Sequence, residues 1–241
     1  MKAMKTMKFF SMLFLTLIIL LSNCAVLGEQ GNGNVIKQER KVASFDAIDV
    51  SGSFEVFLTQ GNDQSVFIEA DENLLPIIKT EVEGSTLTIE TKKSIHHAKT
   101  MRVYITVKEL KKIEISGAVD LTTQNKFTET EMSIEVSGAT DSKLELAVQK
   151  LDVSSSGGCK LKLIGMANTF NLEGSGAVDV FAFDLLTETV SIDISGAGKA
   201  EVNVSKEIKA EISGAGNVKY KGNPAKVWSD ISGAGSIKKV D

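Results

Sequence analysis

The chain has 241 residues, a formal net charge of −4 at pH 7, and only 6% aromatic residues. An acidic chain with few aromatic side chains offers neither a basic face for phosphates nor platforms on which bases stack. Nucleic-acid binding is therefore not expected. Twenty glycines against two prolines favour strands separated by turns.

The N-terminus has the pattern of an export signal. Lys2, Lys5 and Lys8 precede a run over residues 9–21 that is apolar except for Ser11 and Thr16. This run is too short, and wrongly flanked, for a comfortable membrane span, whereas a charged region followed by a short apolar region is typical of a signal peptide. Residues 1–24 are therefore predicted to be a signal peptide, and the protein is predicted to be exported.

The end of this signal contains a candidate lipidation site. Residues 21–24, Leu-Ser-Asn-Cys, resemble a bacterial lipobox, whose cysteine becomes the acylated first residue of a lipoprotein. Asn23 departs from the pattern, because Gly, Ala or Ser is usual there. We predict lipidation of Cys24 and a location at the outer membrane, periplasm or cell surface, with the anchor as the only membrane contact. Ordinary signal-peptidase cleavage near Ala25 or Gly28 is the alternative.

Two further segments precede the repeated part of the chain. Residues 25–40 are polar and glycine-rich, as in a flexible tether. Residues 41–110 are predicted to be an N-terminal β lead-in that caps the rest, with a short helix near residues 71–78. The predicted strands of this lead-in cover residues 45–50, 54–58, 66–70, 86–90 and 103–107.

Residues 111–241 contain a repeated Ser-Gly-Ala motif. Its serines lie 18 to 21 residues apart, and an isolated Ser51-Gly52-Ser53 lies outside this spacing. The segments on both sides alternate apolar and polar residues, which indicates half-buried strands, and glycine permits the bend between them. The seven motif serines are Ser116, Ser137, Ser156, Ser175, Ser195, Ser213 and Ser232.

One such unit cannot bury its apolar row alone, but stacked copies form a continuous core. The predicted fold is therefore all-β: a right-handed β-helix-like solenoid of about seven rungs, each of ~20 residues. A barrel or sandwich also has short strands, but neither would require the same Ser-Gly-Ala motif at a regular spacing along the chain. The motif serines are interpreted as bonding to turn backbone, with a row of hydroxyls facing a sugar as the alternative.

Stacking in phase would place acidic residues two positions before each serine in one line, called here the acidic column. Like charges on neighbouring strands repel, so this column is a candidate site for a cation, with Ca²⁺ as the candidate cofactor, or for a cationic partner. A solvated face screened by salt is the alternative. No metal site is firmly predicted. The column consists of Glu114, Glu135, Glu173, Asp193, Glu211 and Asp230, with Ser154 in the remaining rung.

A second line of side chains, most of them charged, consists of the residues that stand four positions after each motif serine. Lys160 lies in this line between Asp141 and Asp179, which predicts charge compensation along the stack. Cys159 shares its phase with apolar residues, so it is predicted to be a buried small hydrophobe and not a nucleophile.

No catalytic residue is predicted, and the chain is not expected to be an enzyme. His96 and His97 are the only histidines, and they lie outside the repeat in a polar stretch that resembles a loop. Seven equivalent serines argue against any one of them being a nucleophile with its own base. Paired carboxylates of a polysaccharide-active β-helix enzyme remain an alternative, because acidic residues are abundant.

The Ser-Gly-Ala-Gly phrases at residues 195–198, 213–216 and 232–235, together with residues 45–52, resemble the family described as "putative auto-transporter adhesin, head GIN domain". This family is common in envelope proteins of Bacteroidetes-type bacteria, and the resemblance covers about residues 42–240. It implies an all-β, β-helix-like fold on an exported protein, and no defined catalytic residues. The predicted function is a non-enzymatic, adhesin-like envelope protein whose partner is a surface ligand, a glycan or an envelope protein. A structural or regulatory periplasmic module without an external ligand is a further alternative.

Overall fold

The computed structural model describes residues 28–241, so the predicted signal peptide and Cys24 lie outside the described residues. The strands form one 13-stranded sheet and one two-stranded sheet. The elements are β1 (Glu29–Gln30), β2 (Val35–Glu39), β3 (Ala47–Gln60), β4 (Ser65–Asp71), a 3-10 helix (Leu75–Ile77), β5 (Ile78–Glu83), β6 (Thr86–Thr91), β7 (Ile95–His97), β8 (Met101–Val107), β9 (Lys112–Thr123), β10 (Phe127–Val136), β11 (Ala139–Ser155), β12 (Gly158–Gly174), β13 (Ala177–Lys221), β14 (Lys226–Gly233) and β15 (Ser236–Lys239).

The predicted β-solenoid is confirmed, with about seven turns. Strands β9 to β15 stack in parallel, and equivalent positions of the repeat pair with one another. Ser213, for example, pairs with Ser232, one rung further along. Because the rungs are in register, each position of the repeat becomes a line of side chains along the solenoid.

The motif glycines are required by the close approach of successive rungs. Gly117 has a φ of +99°, a left-handed conformation that favours glycine. A Cβ atom at Gly138 would overlap the carbonyl oxygen of Gly117 in the preceding rung. The glycine column therefore lets the backbones of neighbouring rungs pack against one another at the bend.

A single apolar core runs inside the coil. Alternation along each strand buries one row, as at Ile113, Ile115, Val119 and Leu121 of β9. Cys159 belongs to this core and is 3% exposed, as predicted. Burial raises the pKa of its thiol to about 11, although the neighbouring Ser155 hydroxyl acts in the opposite direction.

The first rung comes from the segment before the regular repeat. Strand β3 pairs in parallel with β9, so Ser51 pairs with Ser116 and Gly52 with Gly117. The other side of β3 pairs with β6 and β8, while β4 and β2 continue the sheet in antiparallel fashion. The N-terminal end of the solenoid is thus covered by further strands. The prediction of a flexible tether over residues 25–40 is wrong for residues 29–39, because β1 and β2 pair with β7 and β4. The predicted short helix is the 3-10 helix Leu75–Ile77.

At the other end, the rung that contains β14 is not covered by any of residues 28–241. Strand β14 lies at the end of the sheet order, and all eight of its residues are exposed. Across residues 28–241, no helix is long and apolar enough to cross a membrane.

Candidate functional site

An open groove of about 610 Å³ runs along the face that precedes the motif. Two lines of side chains border it, and we call it the acidic groove. One border is the acidic column, and the other is the line of motif serines. The acids that line it are Asp49, Glu114, Glu135, Glu173 and Asp193, and the motif serines are Ser116, Ser137, Ser156, Ser175 and Ser195.

The strand period explains why these two lines share a face. Residues two apart on a strand point to the same side, so each acid lies beside the serine of its own rung. The parallel register then aligns the rungs: Glu114 pairs with Glu135, and Glu173 pairs with Asp193. Ser154 stands between Glu135 and Glu173 in the same line, where it interrupts the row of carboxylates.

Two predicted members of the acidic column lie beyond the groove. Glu211 and Asp230 pair with each other, nearer the C-terminal end. Asp49 lines the groove but was not predicted, because its rung stands apart from the regular spacing of the motif. Its position two residues before Ser51 is the sequence signal that identifies it as a member of the column.

Lysines neutralise parts of the acidic column. Lys112 Nζ lies 3.0 Å from Glu114 Oε1 and 3.0 Å from Glu135 Oε1, and these hydrogen bonds raise the pKa of Lys112. Lys209 similarly contacts Glu211 at 2.6 Å. Within residues 28–241, Glu173 and Asp193 form no ion pair, so negative charge is concentrated at these two rungs.

The first carboxylate of the groove has an unusual environment. Partial burial raises the pKa of Asp49, and the neighbouring carboxylates of Glu114 and Glu90 raise it further. Lys112 acts in the opposite direction. Asp49 therefore sits where a positively charged group would be favoured.

Most of the motif serine hydroxyls are not held by the turn backbone. Among the seven motif serines, all of which lie in the described part of the chain, only Ser137 donates a hydrogen bond from its hydroxyl, to the Ile115 carbonyl at 3.5 Å. The backbone N–H groups of Ser137, Ser156 and Ser175 carry the contacts between rungs, at 2.8 to 2.9 Å. Hydrogen bonds between rungs thus engage the backbone N–H groups of these motif serines, whereas most of the serine hydroxyls remain available in the groove.

The groove has no preformed metal centre. Over residues 28–241, no three His, Cys, Asp or Glu side chains converge as metal ligands. The carboxylates stand in single file, whereas Ca²⁺ takes six to eight oxygen ligands. Cation binding by the acidic column therefore stays a prediction.

The face that follows the motif differs in charge and shape. Lys160 Nζ lies 2.6 Å from Asp141 Oδ2, which confirms the predicted charge compensation between rungs. A cleft of about 880 Å³ opens beside it, between residues 94–101 and the third positions of several motifs. His96 and His97 line this cleft. The prediction that they lie in a loop is wrong, because they belong to strand β7, which pairs with β1.

The fold and the groove define a class of protein: a β-solenoid whose repeated side chains form an extended, open polar surface. The sequence pattern of one family matches residues 44–224, well over half of the chain. The chain belongs to that family, which is described as "Putative auto-transporter adhesin, head GIN domain". The resemblance inferred from the Ser-Gly-Ala phrases is thereby confirmed.

Solved structures from Bacteroides and Parabacteroides species share the fold. A "putative adhesin" from Bacteroides fragilis is 29% identical, with a TM-score of 0.82 over 88% of this chain and 100% of that one. A "putative adhesin" from Parabacteroides distasonis is 27% identical, with a TM-score of 0.72 over 88% and 99% of the two chains. A "putative lipid binding protein" from the same species is 25% identical, with a TM-score of 0.71 over 88% and 99%. No curated protein matches the chain.

These relatives carry adhesin and lipid-binding names, and the family is one of adhesin-like proteins. Membership in it is consistent with an exported or surface protein. None of these names describes an enzyme.

Proposed function

We propose that this protein is a non-enzymatic, adhesin-like component of the cell envelope that binds a partner surface through the acidic groove. The observation that carries the proposal is the groove itself, in which carboxylates recur across several rungs. The names of the structural relatives support a surface-binding role. Acylation of Cys24 would hold the solenoid at the membrane through the short segment between Cys24 and β1, because β1 and β2 are paired with the folded body.

The chemistry of the groove favours a partner with positive charge. Its lining contains five carboxylates, while the single positive charge of Lys112 is shared between two of them, Glu114 and Glu135. Carboxylates in rungs about 4.8 Å apart present a linear array, to which amino or guanidinium groups of an envelope protein or an amino-bearing glycan can bind in succession. Such an array gains affinity from the sum of many weak contacts.

The test of this proposal neutralises the two unpaired carboxylates. The double variant Glu173→Gln with Asp193→Asn removes two charges from the groove without changing side-chain size. Binding of the exported protein to isolated envelopes should fall several-fold, and its dependence on salt should weaken.

A matched control removes two charges elsewhere. Glu145 and Asp184 are exposed, form no ion pair within residues 28–241, and lie outside the groove. The double variant Glu145→Gln with Asp184→Asn should bind as the wild type does. Equal binding by all three proteins would refute the groove as the binding surface.

The anchor is tested separately. In cells fed a labelled fatty acid, the wild-type protein should carry the label and remain with the membrane fraction. The Cys24→Ser variant should lose the label and appear in the soluble fraction. An unlabelled wild-type protein, cleaved near residue 25 or 28, would instead support ordinary signal-peptidase processing.

The cleft beside β7 provides the specific observation for a second candidate, a polysaccharide-active enzyme. It interrupts the repeat with residues that have no counterpart in other rungs, including His96, His97 and Lys99. This candidate predicts release of sugars from some member of a glycan panel, and loss of that release in the His96→Ala and His97→Ala variants. No release from any glycan would leave the binding function as the better account.

A structural or regulatory periplasmic module is distinguished by location. A surface adhesin must be accessible to protease added to whole cells, whereas a periplasmic module is protected until the outer membrane is opened.

A further inference from the structure

The C-terminal rung leaves apolar side chains at an open end. Val227 and Ile231 pair with Ile208 and Ile212 of the preceding rung, both of which are buried. Val227 and Ile231 nevertheless remain 48% and 37% exposed, because no rung formed by residues 28–241 covers them. On its outer side, β14 also presents a strand edge with no neighbour among the described residues.

The opposite end of the solenoid is closed. The first rung, β3, is covered by β6 and β8, and the sheet continues through β4 and β2. A copy that stacked its open end on this covered end would not meet a free rung edge. The strand edge at that end belongs to β2, which pairs antiparallel with β4 and is not a rung of the repeat. The C-terminal rung therefore finds a matching surface in the C-terminal rung of a second copy.

We propose that the C-terminal rung is the interface of a two-fold homodimer in which β14 pairs antiparallel with β14 of a second copy. Pairing two edges satisfies the unpaired backbone groups of both strands and shields Val227 and Ile231 from water. The symmetry is closed, because the same strand is used on each side and neither copy keeps a free β14 edge.

The charges of β14 are complementary to themselves in this arrangement. Lys226, Trp228 and Asp230 alternate on the outward face of the strand. An antiparallel pair centred on Trp228 places Lys226 of each copy opposite Asp230 of the other. Lys226 Nζ lies 3.3 Å from Glu207 Oε2 within its own chain, so in the dimer it would be shared between Glu207 and Asp230 of the second copy. The same register brings the two Trp228 rings, each 47% exposed, together at the centre.

Within one chain, Asp230 lacks such a partner. It stands beside Glu211 in the ladder, and Lys209 is taken up by Glu211 at 2.6 Å. Over residues 28–241, Asp230 forms no ion pair. The second copy supplies the positive charge that the fold does not place there.

The dimer would carry two acidic columns. In the register centred on Trp228, Asp230 of one copy faces Lys226 of the other, so the two columns are offset by four residues and do not join into one line. Dimerisation therefore stands independently of what the acidic groove binds.

The first experiment measures mass with the full exported chain, purified in a density-matched detergent. Sedimentation velocity should give twice the protein mass of one chain, and Val227→Lys should give a monomer. Leu186→Lys is the control, because Leu186 is 59% exposed but lies on an internal rung, and it should stay dimeric. A wild-type monomer at ~100 µM, well above the Kd of a moderate complex, would overturn the proposal.

A charge swap keeps the test valid if Val227→Lys fails to fold. Lys226→Asp should weaken the dimer at least tenfold by placing like charges opposite each other, and adding Asp230→Lys should restore it. Failure of the second substitution to restore the dimer would refute the antiparallel register.

Cross-linking in intact cells tests the same register in place. Trp228→Cys should form a disulfide-linked dimer on mild oxidation, since the two-fold axis brings residue 228 next to its own copy. Lys199→Cys, exposed on the other face, should remain uncross-linked. Equal cross-linking of the two variants would overturn the proposal.

Discussion

The carboxylate of Asp71 accepts a 2.8 Å hydrogen bond from the backbone N–H of Lys99, and Asp71 is completely buried. The backbone N–H of Gly33 donates to its other oxygen at 2.5 Å. One carboxylate thus ties the segment before β2 and the segment before β8 to the end of β4. These segments belong to the cover at the N-terminal end of the solenoid.

We expect Asp71→Asn to destabilise the fold by about 1–3 kcal/mol, because the amide group would turn an N–H donor toward backbone donors. Urea unfolding of the variant should show a lower midpoint with little change in slope. Asp63→Asn is the control, since Asp63 is exposed, and it should unfold as the wild type does. Equal midpoints for the Asp71→Asn variant and the wild type would contradict this role.

The same residue predicts a dependence on pH. Burial alone would raise the pKa of Asp71, but the N–H donors of Lys99, Gly33 and Thr100 outweigh it, and the pKa is lowered. A lowered folded-state pKa stabilises the fold fully above the unfolded value of about 4, and this contribution is lost as pH falls through the folded value. The difference in unfolding free energy between the wild type and Asp71→Asn should therefore be constant above about pH 5 and shrink below about pH 4. A difference that does not change with pH would show that the charge is unimportant.

The motif glycines predict a steric effect that is separate from backbone strain. A Cβ atom at Gly138 would overlap the Gly117 carbonyl oxygen, whereas one at Gly158 would meet no atom within 4 Å. Neither glycine has a positive φ, so backbone strain does not separate them. Gly138→Ala should cost about 1–3 kcal/mol through overpacking, while Gly158→Ala should be neutral or stabilising by about 0.4–1 kcal/mol. Thermal melts of the two variants measure this contrast, and similar losses at both positions would contradict it.

The sequence repeat predicted the solenoid because each rung has the same local pattern, in which apolar and polar residues alternate along the strands and a glycine permits the bend between them. The regular spacing of the motif does not place Ser51-Gly52-Ser53 in the stack. Residues 61–111 lie between its strand and the strand of the next copy, and spacing alone cannot align the two copies. Its alignment with Ser116 depends on the pairing of β3 with β9, a tertiary contact between distant segments. Asp49 was missed for the same reason.

The charge pattern of the groove was predicted in part. The acidic column follows from strand alternation and equal register, both of which are visible in the sequence. The bridging of Glu114 and Glu135 by Lys112 was not predicted, because it depends on how one side chain reaches between two rungs. The pairing of β7 with β1 was also missed, since strands this short have almost no periodic signal.

Cys159 provides a prediction about reactivity. Burial raises the pKa of its thiol to about 11, so the thiolate is scarce at pH 8, and access for a reagent is poor. Alkylation of the peptide that contains Cys159, followed by mass spectrometry, should be slow in the native protein and complete in urea. Rapid native labelling at pH 8 would show that the core opens at this rung.

The acidic column predicts a response to ions. Its carboxylates stand in single file, and lysines already neutralise Glu114, Glu135 and Glu211. Screening by salt should therefore relieve most of the remaining repulsion. We expect millimolar Ca²⁺ to change the Tm no more than NaCl of equal ionic strength, and the Glu173→Gln with Asp193→Asn variant to show a smaller response to both. A rise of several degrees that is specific to Ca²⁺, reversed by chelation and lost in this variant, would instead identify the column as a calcium site, because only bound cations stabilise the folded state by mass action.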